Sequence, residues 1–195
     1  FSPRGYWQPA HPIQREALAR VAAWTGVPPG RIGIGVDGCS LPVFYLPLSA
    51  LALAYARLLS RAAGAVADRL LQAMWQRPDM MAGAGRFTSA FLAAGRGRWV
   101  GKEGAEGVYA IGIRAPRAGQ EACGLAFKIE DGSTRARDAV ALALLERLGL
   151  LPGPAASKLA AYRDPPVRNA RGLPAGRIEA DAGPVKMHGS SAQRP

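Results

Sequence analysis

Apolar residues recur every three or four positions in several stretches of the chain, a spacing that predicts amphipathic helices. The first predicted helix runs from Pro12 to Trp24, with His11 as a capping residue and Gly26 at its end. A second follows Pro47, which suits a first helical turn, and continues to Ala62 with one core-facing apolar stripe. Three further helices are predicted at Ala65 to Trp75, Phe87 to Ala94 and Thr134 to Leu148, the last with Ser133 or Thr134 as its N-cap.

Short runs rich in β-branched and aromatic residues, separated by glycine-bearing turns, predict strands. These runs are Ile32 to Val36, Trp99-Val100, Val108 to Ile113, Leu125 to Ile129 and Arg177 to Ala180. The three middle runs favour an antiparallel hairpin or meander, so the helices and a short antiparallel sheet together predict an α+β fold. The ordered pattern ends near residue 182, and residues 183–195 are predicted to form a flexible tail.

The 195-residue chain carries a formal net charge of +11, which raises nucleic acid or an anionic surface as a partner. Its arginines are scattered along the chain and are not interleaved with aromatic residues, as a single-strand platform would require. We therefore expect no nucleic-acid partner, and we keep a basic non-catalytic nucleic-acid-binding domain as an alternative.

Neither a membrane span nor a cysteine framework is indicated. The charge-free stretch from Gly38 to Ala56 is broken by Pro42 and Pro47, which leaves about ten apolar residues against the roughly 20 of a transmembrane helix. Cys39 and Cys123 lie far apart and show no C-x-x-C or Cys/His pattern, so neither a disulfide framework nor a zinc ribbon is expected. These features predict a protein without a membrane partner, located in the cytoplasm.

Two glycine-flanked runs hold the candidate chemistry: Asp37-Gly38-Cys39 and Lys102 to Gly107. Glycine has no Cβ, so a carboxylate, thiol or ammonium beside it can project from a tight turn into a cleft. Each residue also has a plainer interpretation. Asp37 can be an ordinary turn residue, Cys39 a small buried side chain and Lys102 a solvated lysine in a polar turn.

Six stretches in a fixed order extend these two runs into a wider pattern, which resembles the asparaginase II type of L-asparaginase. The stretches are His11-Pro12-Ile13-Gln14, Asp37 to Pro42 with Pro47-Leu48, Ala54 to Arg57, Ala82 to Phe87, Lys102 to Gly107, and Lys128 to Ser133 with Arg135-Ala136. The resemblance implies a serine-β-lactamase-like fold and hydrolysis of L-asparagine to aspartate and ammonia. It covers roughly residues 6 to 150, with a weaker continuation to about residue 182.

The resemblance implies roles for Lys102 and Cys39, and the chemistry of Asp37 and Arg86 suggests roles beside them. Lys102 resembles the Lys-x-Gly lysine of serine-β-lactamase-like enzymes, where an ammonium stabilises developing negative charge or helps to move protons. Cys39 matches a zinc ligand, with Asp37 holding a ligating or substrate-contacting group beside it. Arg86 would bind a substrate carboxylate, although Phe87 is followed here by threonine where the family has an acidic residue.

The family's catalytic Ser-x-x-Lys does not occur in this sequence. We therefore expect the chain to be the C-terminal portion of a longer enzyme whose serine nucleophile lies upstream, and a single zinc ligand to be insufficient without others. The expected partner is a small-molecule substrate, L-asparagine, and a homodimer is compatible with the pattern. The second alternative is another serine amidase with a penicillin-binding-like site, which Lys-x-Gly would serve equally.

Overall fold

The computed structural model describes residues 1–95, 97–114 and 121–185. Within these ranges the chain forms both helices and small sheets, which confirms the predicted α+β class. The helices are α1 (Pro12–Thr25), α2 (Leu48–Leu59), α3 (Ala65–Gln76), α4 (Asp79–Ala82), α5 (Phe87–Gly95), α6 (Arg137–Arg147) and α7 (Gly153–Leu159). The strands are β1 (Gly33–Val36), β2 (Pro42–Tyr45), β3 (Trp99–Glu103), β4 (Val108–Ile113), β5 (Cys123–Lys128), β6 (Pro166–Arg168) and β7 (Pro174–Arg177).

The strands form three separate sheets. β1 and β2 pair antiparallel, with Gly33 opposite Tyr45, and β6 and β7 pair antiparallel with Pro166 opposite Arg177. β3, β4 and β5 form a three-stranded sheet in that order, so β3 is an outer strand. Strands that follow one another in the chain are neighbours in this sheet, as a meander requires.

The chain divides into two compact units. The first unit comprises Phe1–Leu71, Arg98–Val100 and Ala110–Phe127, and the second comprises Gln72–Gly97, Gly101–Tyr109 and Lys128–Pro195. Each unit has buried apolar side chains of its own, including Leu59, Leu71 and Ile111 in the first and Phe91, Leu142 and Leu159 in the second. None of the helices in the described ranges has the length and apolarity needed to cross a bilayer.

In the first unit, the contacts that hold α2 to its neighbours involve backbone carbonyl groups. The Arg57 guanidinium donates to the carbonyl oxygens of Ala23 (3.0 Å) and Trp24 (2.9 Å), which places a cation on the unsatisfied carbonyls at the end of α1. On the strand side, a Cβ added at Gly124 would lie 1.8 Å from the Ala52 carbonyl oxygen. Only glycine allows β5 to approach the helix backbone this closely.

In the second unit, an aromatic cluster joins α5 to β4. The Phe87 ring lies 5.6 Å from the Tyr109 ring and 5.4 Å from the Tyr162 ring, measured between centroids. Phe91 adds a fourth ring, whose centroid lies 5.6 Å from that of Phe87. Tilted and edge contacts at these separations stabilise packed rings beyond simple burial. The cluster fixes the start of α5 and the Tyr109 side chain, both of which contribute to the site below.

The observed elements agree with most of the predicted ones. His11 caps α1 as expected, because its Nδ1 accepts from the Ile13 amide at 3.2 Å, and Gly26 ends this helix in the left-handed conformation. Pro47 is the N-cap residue of α2 and lies outside its first turn. The apolar stripe of α2 is only partly buried, since Leu48 is exposed.

The predicted start of the helix at Thr134 was wrong, since α6 begins at Arg137 with Ala136 in the N-cap position. The polar residues ahead of it form a turn instead. Asp131 Oδ1 accepts from the Ser133 amide at 2.8 Å, and Ser133 Oγ accepts from the Arg135 amide at 3.2 Å. Short polar side chains compete with the helix for backbone donors in this way.

The strand predicted at Arg177 to Ala180 lies earlier, as β7, and pairs with β6, which the sequence did not indicate. β2, α4 and α7 were also not predicted. Proline and glycine in these short segments weaken the periodic signal on which the prediction depends. The predicted tail falls partly outside the described residues, which end at residue 185.

Candidate functional site

Asp37 and Cys39 lie in the loop between β1 and β2, in the first unit. One carboxylate oxygen of Asp37, Oδ1, accepts from the amides of Cys39 (2.7 Å) and Leu41 (3.1 Å). Ser40 between them has a φ of 66°, in the left-handed region. The Asp37 carboxylate therefore forms the loop, as the turn interpretation predicted, and this loop presents Cys39.

The Cys39 side chain is exposed, so the interpretation as a small buried residue was wrong. Within the described ranges, no group of three or more histidine, cysteine, aspartate or glutamate side chains is placed to hold a metal ion. A zinc site needs three or four ligands, so Cys39 and Asp37 do not fit a zinc ion by themselves. Cys123, at the start of β5, is half-buried.

Lys102 lies on the outer strand β3, so the alternative placing it in a polar turn was wrong. Its Nζ donates to the carbonyl oxygen of Glu103 at 3.2 Å and lies 3.4 Å from the carboxylate oxygen Oε1 of the same residue. The Lys102 side chain is 39% exposed and the Glu103 side chain 19% exposed. The ammonium thus faces solvent beside a carboxylate that is largely shielded from it.

Glu103 is held by a chain of hydroxyl groups within the second unit. The Thr88 hydroxyl donates to Glu103 Oε2, and Thr88 Oγ1 also lies 3.0 Å from the Tyr109 hydroxyl. Burial raises the pKa of Glu103, but the hydrogen bond from Thr88 and the charge of Lys102 outweigh it, and the pKa is lowered. Burial raises the pKa of Tyr109, so its hydroxyl stays neutral. The carboxylate beside Lys102 is therefore kept ionised.

A second ion pair lies next to this chain. The Arg137 guanidinium is 5.7 Å from the centre of the Tyr109 ring, a cation–π distance, and Arg137 is almost fully buried. Its Nε and Nη2 lie 3.0 and 2.9 Å from the carboxylate oxygen Oδ1 of Asp138. Burial raises the pKa of Asp138 in spite of this pairing. Two carboxyl groups of the same unit, Glu103 and Asp138, thus have pKa values displaced in opposite directions.

Arg86 is exposed and lies just ahead of α5, in a bend fixed by two side chains. Ser89 Oγ donates to the Gly83 carbonyl at 2.7 Å, and the Tyr162 hydroxyl donates to the Gly85 carbonyl at 2.9 Å. The positive charge of Arg86 acts on Asp138, whose pKa it lowers in part. Arg86 is therefore positioned in the same charged region as Asp138.

The structure places Lys102 and Arg86 in the second unit and Asp37 and Cys39 in the first. Sequence reasoning missed four residues that surround the two cations: Thr88, Tyr109, Arg137 and Asp138. A signal did exist for Thr88, since it directly follows the family-like stretch that ends at Phe87. The other three lie in apolar or helical segments, where nothing local distinguishes a buried polar residue from an ordinary one.

Comparisons with known proteins agree with the wider pattern in the sequence. A family model described as L-asparaginase II matches residues 1–180. No curated protein matches the chain. The matched range includes all four predicted site residues and the charged groups around Lys102. The chain belongs to the L-asparaginase II family, which suggests an asparaginase-like amidohydrolase with a small-molecule substrate such as asparagine.

Proposed function

We propose that this chain supplies the electrostatic part of an asparaginase active site, in which the side-chain amide of L-asparagine is hydrolysed to aspartate and ammonia. The observation that carries the proposal is the ordered cation at the end of β3: Lys102 Nζ, 3.4 Å from a carboxylate that Thr88 holds in its ionised form. A fixed, partly exposed ammonium of this kind stabilises negative charge that develops on an oxygen during acyl transfer.

The reaction has two stages. A serine oxygen attacks the amide carbon and the C–N bond breaks, so that ammonia leaves with the serine proton and an acyl-enzyme ester remains. Water then attacks the ester, and the serine is released with aspartate. The serine-β-lactamase-like fold and the upstream serine are parts of the proposal that rest on the family resemblance, since this sequence has no Ser-x-x-Lys.

Of the two roles expected for Lys102, charge stabilisation is the one we propose. Its neighbour Glu103 has a lowered pKa, so the lysine is paired with a full negative charge at neutral pH. The Lys102 Nζ also donates to the Glu103 carbonyl at 3.2 Å, so two contacts hold the ammonium in one position. Lys102 therefore acts through its charge.

Ammonia release from L-asparagine by the intact gene product tests the proposal. Lys102→Ala should lower kcat/KM by about 100-fold or more, the usual effect of removing one such electrostatic contact. Lys102→Arg separates the two roles, because arginine keeps the charge but does not give up its proton. We expect Lys102→Arg to retain much more activity than Lys102→Ala.

Lys128→Ala is a matched control. Its Nζ donates to the carbonyl oxygen of the following residue, Ile129, at 2.9 Å, as Lys102 does to Glu103, and it lies on an exposed strand end. This control should leave kcat/KM unchanged. Equal losses in the two alanine variants would refute the role of Lys102, and no ammonia release with or without added zinc would refute the asparaginase activity.

Zinc, the cytoplasmic location and a homodimer remain predictions. Cys39 would supply one zinc ligand, and because the described residues contain no group of three or more histidine, cysteine, aspartate or glutamate side chains placed for a metal, a complete site would need at least one ligand from elsewhere. Metal analysis of the purified protein and of Cys39→Ser tests this expectation, and light scattering tests the dimer.

A further inference from the structure

A cavity of about 520 Å³ opens in the second unit, between the start of α6 and the β6–β7 hairpin. Its polar lining residues are Arg135, Asp138, Tyr162 and Arg168, and its apolar wall includes Val167 and Ile178. This volume lies within the range of about 300 to 1,000 Å³ that is usual for small-molecule sites. None of the sequence-predicted site residues lines it, although Tyr162 hydrogen-bonds the carbonyl of Gly85, directly before Arg86.

The cavity has a positive side with spare hydrogen-bond donors. Arg135 is exposed, and among the described residues its guanidinium makes no hydrogen bond or ion pair. Arg168 uses Nη1 to donate to the Gly172 carbonyl at 2.8 Å, and its other guanidinium nitrogens make no hydrogen bond to the described residues. A planar guanidinium with free N–H groups binds a carboxylate with two parallel hydrogen bonds.

The opposite charge in the cavity is the Asp138 carboxylate. Arg137 contacts only its oxygen Oδ1, and among the described residues no donor reaches Oδ2. Among the described residues, every buried side-chain oxygen or nitrogen has a hydrogen-bond partner. Since Asp138 Oδ2 has none, this oxygen is exposed to solvent. Burial raises the pKa of this carboxyl group, which indicates that its present partners do not fully compensate for lost hydration.

We propose that this cavity holds the main-chain groups of the amino-acid substrate, with the α-ammonium on Asp138 Oδ2 and the α-carboxylate on Arg135 and Arg168. The inference rests on the proposed function and names the groups that recognise the substrate. A ligand with both charges satisfies each side of the cavity. A plain anion leaves Asp138 Oδ2 without a donor, and a plain amine leaves the spare N–H groups of the two arginines without an acceptor. Such incomplete pairing is what allows a polar site to reject close analogues.

The cavity belongs to the same charged region as Lys102. Asp138 is influenced by the charges of Glu103, the partner of Lys102, and of Arg86. Recognition of the unreacting end of the substrate by Asp138 and Arg135 therefore leaves Lys102 for the end at which charge develops. Binding energy from such remote groups serves to orient the reacting amide.

Binding of unreactive ligands to the intact gene product tests the proposal without any turnover. The probes are L-aspartate, succinate, which lacks the ammonium, and β-alanine, which lacks the α-carboxylate, each measured by isothermal titration calorimetry at pH 7. We expect L-aspartate to bind at least about tenfold more tightly than either analogue, since each lacks one charged contact. No binding of L-aspartate, or succinate binding as tightly as L-aspartate, would overturn the proposal.

Variants then assign each contact. Asp138→Asn should weaken L-aspartate binding about tenfold or more and leave succinate binding unchanged, and Arg135→Gln should weaken L-aspartate and succinate but not β-alanine. The matched controls are Glu121→Gln and Arg171→Gln, which remove the same charges from exposed positions outside the cavity. Equal effects in a variant and its control would refute the assignment.

Asp138→Asn removes a partner from the buried Arg137 and could therefore affect folding. Arg135 is exposed, so Arg135→Gln tests the cavity without that risk. Thermal unfolding of each variant checks that it is folded. The two measurements distinguish an incorrect assignment of the cavity from an incorrect proposal of asparaginase activity. Ligand binding without ammonia release leaves the cavity assignment in place, and ammonia release without the expected ligand preference refutes only the cavity assignment.

Discussion

Removal of the Thr88 hydroxyl tests the site directly, because Thr88 Oγ1 connects the Glu103 carboxylate to the Tyr109 hydroxyl. Thr88 is 1% exposed, its hydroxyl donates to Glu103, and it is also hydrogen-bonded to the Tyr109 hydroxyl at 3.0 Å. Thr88→Val keeps the size and the β-branched shape of the side chain and removes both hydrogen bonds. The expected result is a folded but less stable protein with a weaker charge partner for Lys102.

The magnitude follows from the two lost contacts. A hydrogen bond to a charged group contributes about 1.5 to 3 kcal/mol and a neutral one about 0.5 to 1.5 kcal/mol, so Thr88→Val should lower the free energy of unfolding by about 2 to 4 kcal/mol at pH 7. Urea unfolding with linear extrapolation measures this difference. The m value should stay the same, because the buried surface does not change.

The pH dependence distinguishes the charged contact from simple packing. The pKa of Glu103 is lowered in the folded protein, so its contribution to stability is present above the ordinary value of 4.5 and is lost as the pH falls through the folded value. Since Thr88 supplies part of that lowering, the destabilisation by Thr88→Val should be largest at neutral pH. It should shrink as the pH falls below 4.5 and through the lowered pKa of the folded protein, where the Glu103 carboxylate takes up a proton.

Thr25→Val is the control for this experiment. Thr25 is 5% exposed and its hydroxyl donates to the Val21 carbonyl at 2.7 Å, so the same chemical change removes a hydrogen bond without a carboxylate. We expect a loss of about 1 kcal/mol that does not vary with pH between 4 and 7. The same cost and the same pH profile for both variants would contradict the assignment of a charged hydrogen bond to Thr88.

Three further experiments test the fold and the exposed thiol. Gly124→Ala should lower the free energy of unfolding by about 3 kcal/mol or more, because its Cβ would lie 1.8 Å from a carbonyl oxygen of α2. The control is Gly30→Ala, whose Cβ would meet nothing within 4 Å and which should leave urea unfolding nearly unchanged. His11→Ala should lower the free energy of unfolding by about 0.5 to 1 kcal/mol through loss of the α1 cap. An unchanged midpoint of urea unfolding would contradict that role. A thiol reagent should label Cys39 before Cys123, and the fast phase should vanish in Cys39→Ser; a fast phase that persists would contradict the exposed loop position.

For the candidate site, the sequence could single out only residues that a motif carries, and their roles stay predictions. Lys102 was singled out by its Lys-x-Gly context, and the structure places it on a strand beside Glu103. Asp138 had no such context, because an aspartate in the first turn of a helix is common and usually solvated. Its shifted pKa arises from burial, which depends on segments distant in the chain.

The sequence by itself determined the α+β class, the main helices and the family pattern, since apolar spacing and glycine positions are local properties. Only the tertiary structure decided which side chains share a charged region. Thr88, Glu103 and Tyr109 are on different elements, and their hydrogen bonds form only when α5, β3 and β4 are packed together. Burial and charge pairing are sums over non-local neighbours, so the chemistry at Lys102 depends on a fold that no single stretch of sequence encodes.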